Sequence, residues 1–500
     1  MSSLKNLPRA PIFTALAALA GCIAAPAGFA QAPSTAAAPT LAITSIEPGP
    51  TPFVSFVTIA GPAVDKITSV AFSAVPKASS TTLPVSATYA RQRLTTATAH
   101  TLIIPVFGLY ANRTNTVRLT YSGHGLRGSV NALIVTAPWD NSLADAYAGK
   151  TDVVPRNNTI RLNFSFFMLK AWAGGTHPVV MDTDGEVRWC GTAGPGNQGS
   201  IFMQNGFYVG DNSLLRRIEL DGSASVVADY SALGYWNFHH NIDPGKTGML
   251  IDINHDADIE SEIIEADASG NLLNSWNLAT ILEDAIVAGG EDPSSFVRTG
   301  NYDDWFHNNA ATYWKAKDSL VVSSRENFVI GIGYETKEIK WILGDTNKAW
   351  FQNFKSLRKY ALTLTGNSIA PIGQHAVSIT ANGQLMLFDD GLPSYNQSPA
   401  GISRDYSAPR RYTIDDKKME ATEVWNFEHG QAIYSPICSS IYQDNGSFLI
   451  DYAAENWGQD IRLLGLDNRG RTAFEYVFNG LNWSAGWNAI QIHLENLNFH

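Results

Sequence analysis

The strongest constraint on this chain is a phrase that recurs six times between residues 182 and 470. Asp182-Thr-Asp-Gly-Glu-Val-Arg-Trp189, Leu220-Asp-Gly-Ser, Asp267 through Trp276, Tyr334-Glu-Thr-Lys-Glu-Ile-Lys-Trp341, Tyr412 through Trp425 and Leu466-Asp-Asn-Arg-Gly each set an acidic turn, and most then enter an apolar strand that often carries tryptophan. One hairpin-rich unit cannot bury both of its faces, whereas a closed ring of such units can. The six copies predict an all-β chain with a six-bladed β-propeller over residues 150–490. Helical periodicity is confined to a short stretch at 278–287 and an ambiguous one at 350–360.

Residues 41–140 read as a small N-terminal β-sandwich. The runs Phe53–Ile59, Thr101–Phe107 and Thr116–Tyr121 are rich in β-branched and aromatic residues and are separated by Gly, Pro and Asn turns. Residues 1–32 read as an export signal peptide, with Lys5 and Arg9 around the start of an apolar stretch that ends in small residues. Residues 33–40 form a linker. Leu19-Ala-Gly-Cys22 offers a competing lipoprotein reading in which Cys22 carries the lipid. Either way the mature protein is expected in a bacterial periplasm. Beyond the signal only Cys190 and Cys438 remain, which excludes a dense disulfide framework and leaves their pairing open. A net charge of −11 excludes the electrostatic footprint of a nucleic-acid binder, so an anionic substrate needs a local cationic group.

A second repeat runs out of phase with the first. Phe238-His-His-Asn-Ile, Trp305-Phe-His-Asn-Asn, Gly373-Gln-His-Ala-Val and Cys438-Ser-Ser-Ile each open a hairpin on a polar residue. The steps are 67 from His240 to His307, 68 from His307 to His375 and 65 from His375 to Ser440. Near-constant spacing implies the same position in successive blades, and equivalent inner-strand positions converge on the propeller axis. Three imidazoles and a hydroxyl are thereby expected in one channel.

A three-residue turn centred near Ala316 puts Arg325 across from His307; a two-residue turn puts Glu326 there. Arginine offers paired donors to an oxyanion such as phosphate, sulfate or carboxylate. Two chemistries suit such a cluster. His240, His307 and His375 could ligate zinc, but no local metal motif supports this and a cation sits badly beside Arg325, so neither metal nor other cofactor is expected. The other is group transfer: a neutral imidazole attacks phosphorus or sulfur, the arginine stabilises the charged oxygens, and a second histidine protonates the leaving oxygen. The hairpin after His375 brings Asp390, or Asp389 after a one-residue slip, opposite that histidine to set its tautomer.

Asp304-Trp-Phe-His-Asn-Asn309, Ser323-Ser-Arg325 followed by Ile339-Lys-Trp-Ile-Leu-Gly-Asp345, and Gln374-His375 followed by Leu387-Phe-Asp-Asp-Gly391 resemble the bacterial arylsulfate sulfotransferase family, periplasmic enzymes that need no nucleotide donor. The resemblance implies ping-pong transfer of a sulfuryl group from a phenolic sulfate ester to a phenol. It implies His375 as the nucleophile that becomes a sulfohistidine, Arg325 as the sulfate-stabilising arginine, His307 and Asn309 in binding and proton transfer, and His240, or the adjacent His239, as the remaining histidine. Ser440 stands where the family usually has threonine, Asn241 where aspartate is common, and Ala408 where an arginine is expected. The partners implied are small molecules, with a homodimer left open. The rival readings are a non-enzymatic propeller that binds an anion or a partner, and an aryl sulfate hydrolase.

Overall fold

The computed structural model describes residues 41–500 apart from 97, 99, 172, 174–176, 193–198 and 299–303. The export signal, the linker and Cys22 lie outside the described residues. Two sheets form the sandwich. One has three strands, Ala42–Pro48, Val54–Ala60 and Thr101–Phe107; the other has five, built on Val85–Ala90, Ile67–Ala74, Thr114–Gly123 and Leu126–Val135. Strict alternation of buried and exposed residues along Thr114–Tyr121 turns one face onto the core and the other to water. The fifth strand is Leu497–Phe499, which pairs in parallel with Val85–Ala90, so the end of the chain returns to the sandwich.

Six sheets of four or five strands make the propeller. Ser200–Met203, Tyr235–Pro244, Asn308–Trp314, His375–Ile379 and Ser440–Asp444 open blades two to six, and successive opening strands touch one another around the axis. Blade one takes its inner strand from the far end of the chain: Ala489–Ile492 pairs with Phe166–Leu169. Blade six takes its outermost strand from the near end, where Thr151–Val154 pairs with Thr472–Asn479. The ring is closed twice, by strands that bracket it in sequence.

The recurrent acidic phrase is the turn that joins the third and fourth strands of each blade, counted outward from the axis. Its aspartate caps the turn backbone, as when Asp267 accepts Ser269 N at 2.8 Å and Asn271 N at 2.9 Å. In blades one and three the tryptophan that follows is fully buried and donates to the next blade: Trp189 Nε1 to Leu220 O at 3.0 Å, and Trp276 Nε1 to Tyr334 O at 3.1 Å. Each such ring contributes about 1.5–3 kcal/mol by burial while its N–H keeps a partner. The expected helix is Leu278–Ala288, capped by Asn277, and the ambiguous stretch holds two short helices, Ala349–Gln352 and Lys355–Arg358.

Arg188 of blade one joins the two parts. Fully buried, it donates Nη2 to Gly108 O at 2.6 Å and Nη1 to Asp182 at 3.0 Å, with its guanidinium 3.8 Å from the centre of the Tyr110 ring. Cys190 and Cys438 are both free thiols. A chain ending at Asn488 lacks the strand that closes blade one and is expected to lose cooperative thermal unfolding in calorimetry, whereas one lacking only Leu497–His500 is expected to keep it.

Candidate active site

The opening strands of blades three to five carry the histidines to one place on the axis. The His240 and His307 rings stand 4.7 Å apart edge to face, and His240 is 6.3 Å from His375. Nitrogens of all three lie within 4.8 Å of one another. With Asn241, Asn309, Cys438, Trp487 and Asn488 the rings of His240 and His375 border a small cleft of about 10 Å³, and His307 adjoins it through its contact with His240. The larger groove on the sandwich, about 500 Å³, holds no imidazole, thiol or carboxylate.

Local backbone geometry aims these groups. His240, His307, Ala376 and Cys438 all have left-handed φ, at 43°, 55°, 55° and 66°. For residues other than glycine this costs about 1–2 kcal/mol each, and such strain clusters where side chains must be re-aimed. In blade four the turn is four residues, 315–318, one longer than expected, so the ladder pairs Ala310 with Ser323. A bulge at Asn309 then removes one residue, Asn308 faces Ser324, and Arg325 N donates to His307 O at 3.0 Å. Arg325 thus stands across from His307 because a longer turn and a bulge offset each other. In blade five a bulge after His375 brings Phe388 opposite it, not Asp390 or Asp389. Asp390 still reaches the ring, with Oδ2 2.7 Å from Nδ1.

These contacts set the protons. His375 Nδ1 lies 3.0 Å from Gly373 O, an atom that can only accept, so Nδ1 carries the hydrogen and Nε2 holds the lone pair. Nε2 is buried with no protein partner. Burial first, then the positive charges of His307 and Arg325, hold the His375 imidazole well below its usual proton affinity, so it is neutral. Burial pushes Asp390 towards its protonated form, while the Ser439 N–H bond works against this. His307 is the opposite case. Burial opposes its charge, but Nδ1 is 2.5 Å from Asp304 Oδ2 and 2.7 Å from Glu260 Oε2, and the two carboxylates raise its pKa to about 9. Burial and the neighbouring His307 charge hold His240 well below its usual value, only partly offset by Glu260. His239 lies outside the cleft border with Nδ1 3.1 Å from that of His240, and burial lowers it to about 4.

Arg325 is only 6% exposed; one of its Nη atoms pairs with Glu326, and Nη1 is buried with no protein partner. An unfilled cationic donor, an imidazolium and a lone-pair nitrogen around one small space suit a tetrahedral anion. The three imidazoles are close enough to hold a small cation, but the same space carries the positive charges of Arg325 and His307.

Asn309 borders the cleft and donates Nδ2 to Gln374 O at 2.9 Å, leaving Oδ1 buried and unpartnered. Asn241 donates to Asn309 O at 2.6 Å, with the Lys170 amine on its Oδ1. Ser440 is a correction: its hydroxyl accepts Ala489 N at 3.0 Å and serves the contact between blades, while Cys438 faces the cleft. The left-handed residue in blade six falls at 438, and the ladder from Ser440 onward has no bulge to turn its hydroxyl inward. Ala408, fully buried opposite Asp389, leaves the pairing of that carboxylate to Arg404 and Arg410.

Sequence reading did not assign Glu260, Asp304, Cys438 or Trp487 to the site. Asp304 has a local signal, a carboxylate three residues before His307. Glu260 has none, since Asp258-Ile-Glu-Ser-Glu262 alternates like an ordinary strand with one wet face.

A propeller whose axis holds these groups around one cleft is a protein built to handle a small anion. Residues 150–493 match the family model described as Arylsulfotransferase (ASST), and residues 50–136 match the Arylsulfotransferase Ig-like domain. The chain belongs to the arylsulfotransferase family and is an aryl-sulfate sulfotransferase. It is 26% identical over 474 residues to arylsulfate sulfotransferase AssT of Lelliottia amnigena, covering 74% of this chain and 78% of that one. It is 29% identical over 229 residues to AssT of Escherichia coli O6:H1, covering 37% and 38% respectively. Among solved structures, the Cps50 (Swd1) β-propeller domain of Myceliophteria thermophila is 9% identical and covers 66% of this chain and 99% of its own, with a TM-score of 0.32.

His307 gains proton affinity on folding, so the stability it brings is whole below pH 6.5 and is lost as pH rises through about 9. Thermal unfolding between pH 6 and 10 is expected to show this loss in the native protein and a flatter profile in His307→Gln. In Glu260→Gln the His307 NMR titration midpoint is expected to move down towards 6.5.

Proposed function

We propose that the chain moves a sulfuryl group from a phenolic sulfate ester to a phenol in two half-reactions, through a sulfohistidine at His375. The observation that carries this reading is the His375 ring: neutral, hydrogen on Nδ1, and an unpartnered Nε2 in the cleft. In the first half-reaction the Nε2 lone pair forms a bond to sulfur, and the bond from sulfur to the aryl oxygen breaks with its electron pair on that oxygen. Arg325 holds the sulfuryl oxygens, and His307, protonated up to about pH 9, gives the departing oxygen a proton. As positive charge grows on the His375 ring, its Nδ1 hydrogen stays bonded to Asp390 Oδ2 at 2.7 Å. In the second half-reaction a phenol oxygen bonds to sulfur, the N–S bond breaks back onto His375 Nε2, and the phenol proton passes to His307, which gave up its own in the first. Asn309, His240 and the neighbouring His239 support substrate and ring orientation in this scheme. The export-signal reading of residues 1–32 puts this chemistry in the periplasm.

The test is intact-mass analysis of protein quenched after mixing with 4-nitrophenyl sulfate alone. One sulfuryl adduct is expected on His375, absent in His375→Ala, whose turnover is expected to fall by about 10³-fold or more. Release of 4-nitrophenol is expected to rise with added phenol. Release indifferent to phenol identifies a hydrolase, and no release identifies a binder; either result refutes the transfer scheme.

A further inference from the structure

Tyr395 is 60% exposed, more than any other Phe, Tyr or Trp among the described residues, yet its backbone is fixed. Glu326, fully buried, takes Tyr395 N and Asn396 N on Oε2, each at 2.8 Å, along with the Ser394 hydroxyl. The other oxygen of the same carboxylate pairs with Arg325. The turn is also tied to the His307 segment, with Asn396 Nδ2 on Asp304 O at 2.7 Å and Gln397 Nε2 on Trp305 O at 3.0 Å. One buried carboxylate therefore grips both the guanidinium of the anion site and the loop bearing an exposed ring. That ring lies 5.0 Å from the Arg325 guanidinium carbon. Tyr434 is within electrostatic range of Tyr395 and of Asp390 and stands edge-on to the 54% exposed Trp457, 6.3 Å between centres.

A large ring left in water forgoes its burial energy, and a ring held there by a rigid backbone loses little entropy when a flat ligand covers it. Tyr395 is the exposed aromatic beside the anion-binding guanidinium, so a flat group attached to an anion held by Arg325 is within reach of its ring. We propose that Tyr395 is the specificity-determining residue that receives the aromatic ring of the sulfate ester, with Glu326 as the positioning residue that keeps it in register with Arg325. This deepens the sulfuryl-transfer reading and rests on it.

The test compares native protein, Tyr395→Phe and Tyr395→Ala with 4-nitrophenyl sulfate as donor and phenol as acceptor, and with inorganic sulfate as a ringless inhibitor. Tyr395→Ala is expected to raise the donor KM about tenfold, the size of one aromatic contact, with kcat within about threefold. Tyr395→Phe is expected to keep the native KM, and the sulfate inhibition constant is expected to be the same in all three. An unchanged KM in Tyr395→Ala overturns the proposal, and so does an equal weakening of sulfate and aryl sulfate, because Tyr395 then only supports Arg325. If the native protein transfers nothing, the sulfuryl-transfer reading falls and takes the role of Tyr395 with it; native transfer with an indifferent Tyr395→Ala removes only the latter.

Discussion

Ring closure is the constraint on which everything else rests. Blade one has no inner strand until Ala489–Ile492 arrives, and blade six lacks its outermost strand without Thr151–Val154. An open ring would leave sheet edges unpaired and would separate His240, His307 and His375, which belong to three blades and depend on fixed angles between them. Side chains reinforce that spacing around the axis. Asn241 bonds blade three to blade four, Asn309 bonds blade four to blade five, and Ser440 bonds blade six to the returning strand.

Within that frame two histidines with the same intrinsic chemistry take opposite charge states. Both are buried, which alone drives each to the neutral form. His307 escapes because Asp304 and Glu260 both face its Nδ1, whereas the partners of His375 take its Nδ1 hydrogen and leave the cationic neighbours His307 and Arg325 to disfavour a second proton. A nucleophile and a proton donor are thereby held side by side at neutral pH. The same economy recurs at Glu326, which fastens Arg325 and the Tyr395 loop with one carboxylate.

Much of the architecture is legible in the order of the residues. The acidic turn with its tryptophan is a local unit, and its recurrence reports blades because each copy must solve the same burial problem. The histidine spacing points to one channel for a similar reason. The misses are of another kind. The turn before Ser319 is one residue longer than expected, and a bulge at Asn309 restores the pairing of His307 with Arg325. Ser440 keeps the spacing, but the left-handed residue at Cys438 sends the thiol into the cleft instead.

The sequence by itself determined the class of fold, the family and the identity of the groups that could do chemistry, because turn propensity, strand alternation and repeat length are read over short stretches. Only the tertiary structure decided which nitrogen of His375 is free, that Glu260 charges His307 across 47 residues, and that the exposed Tyr395 shares a buried carboxylate with Arg325. Proton affinity depends on distances of a few ångströms between residues from different blades, and those distances exist only once the ring has closed.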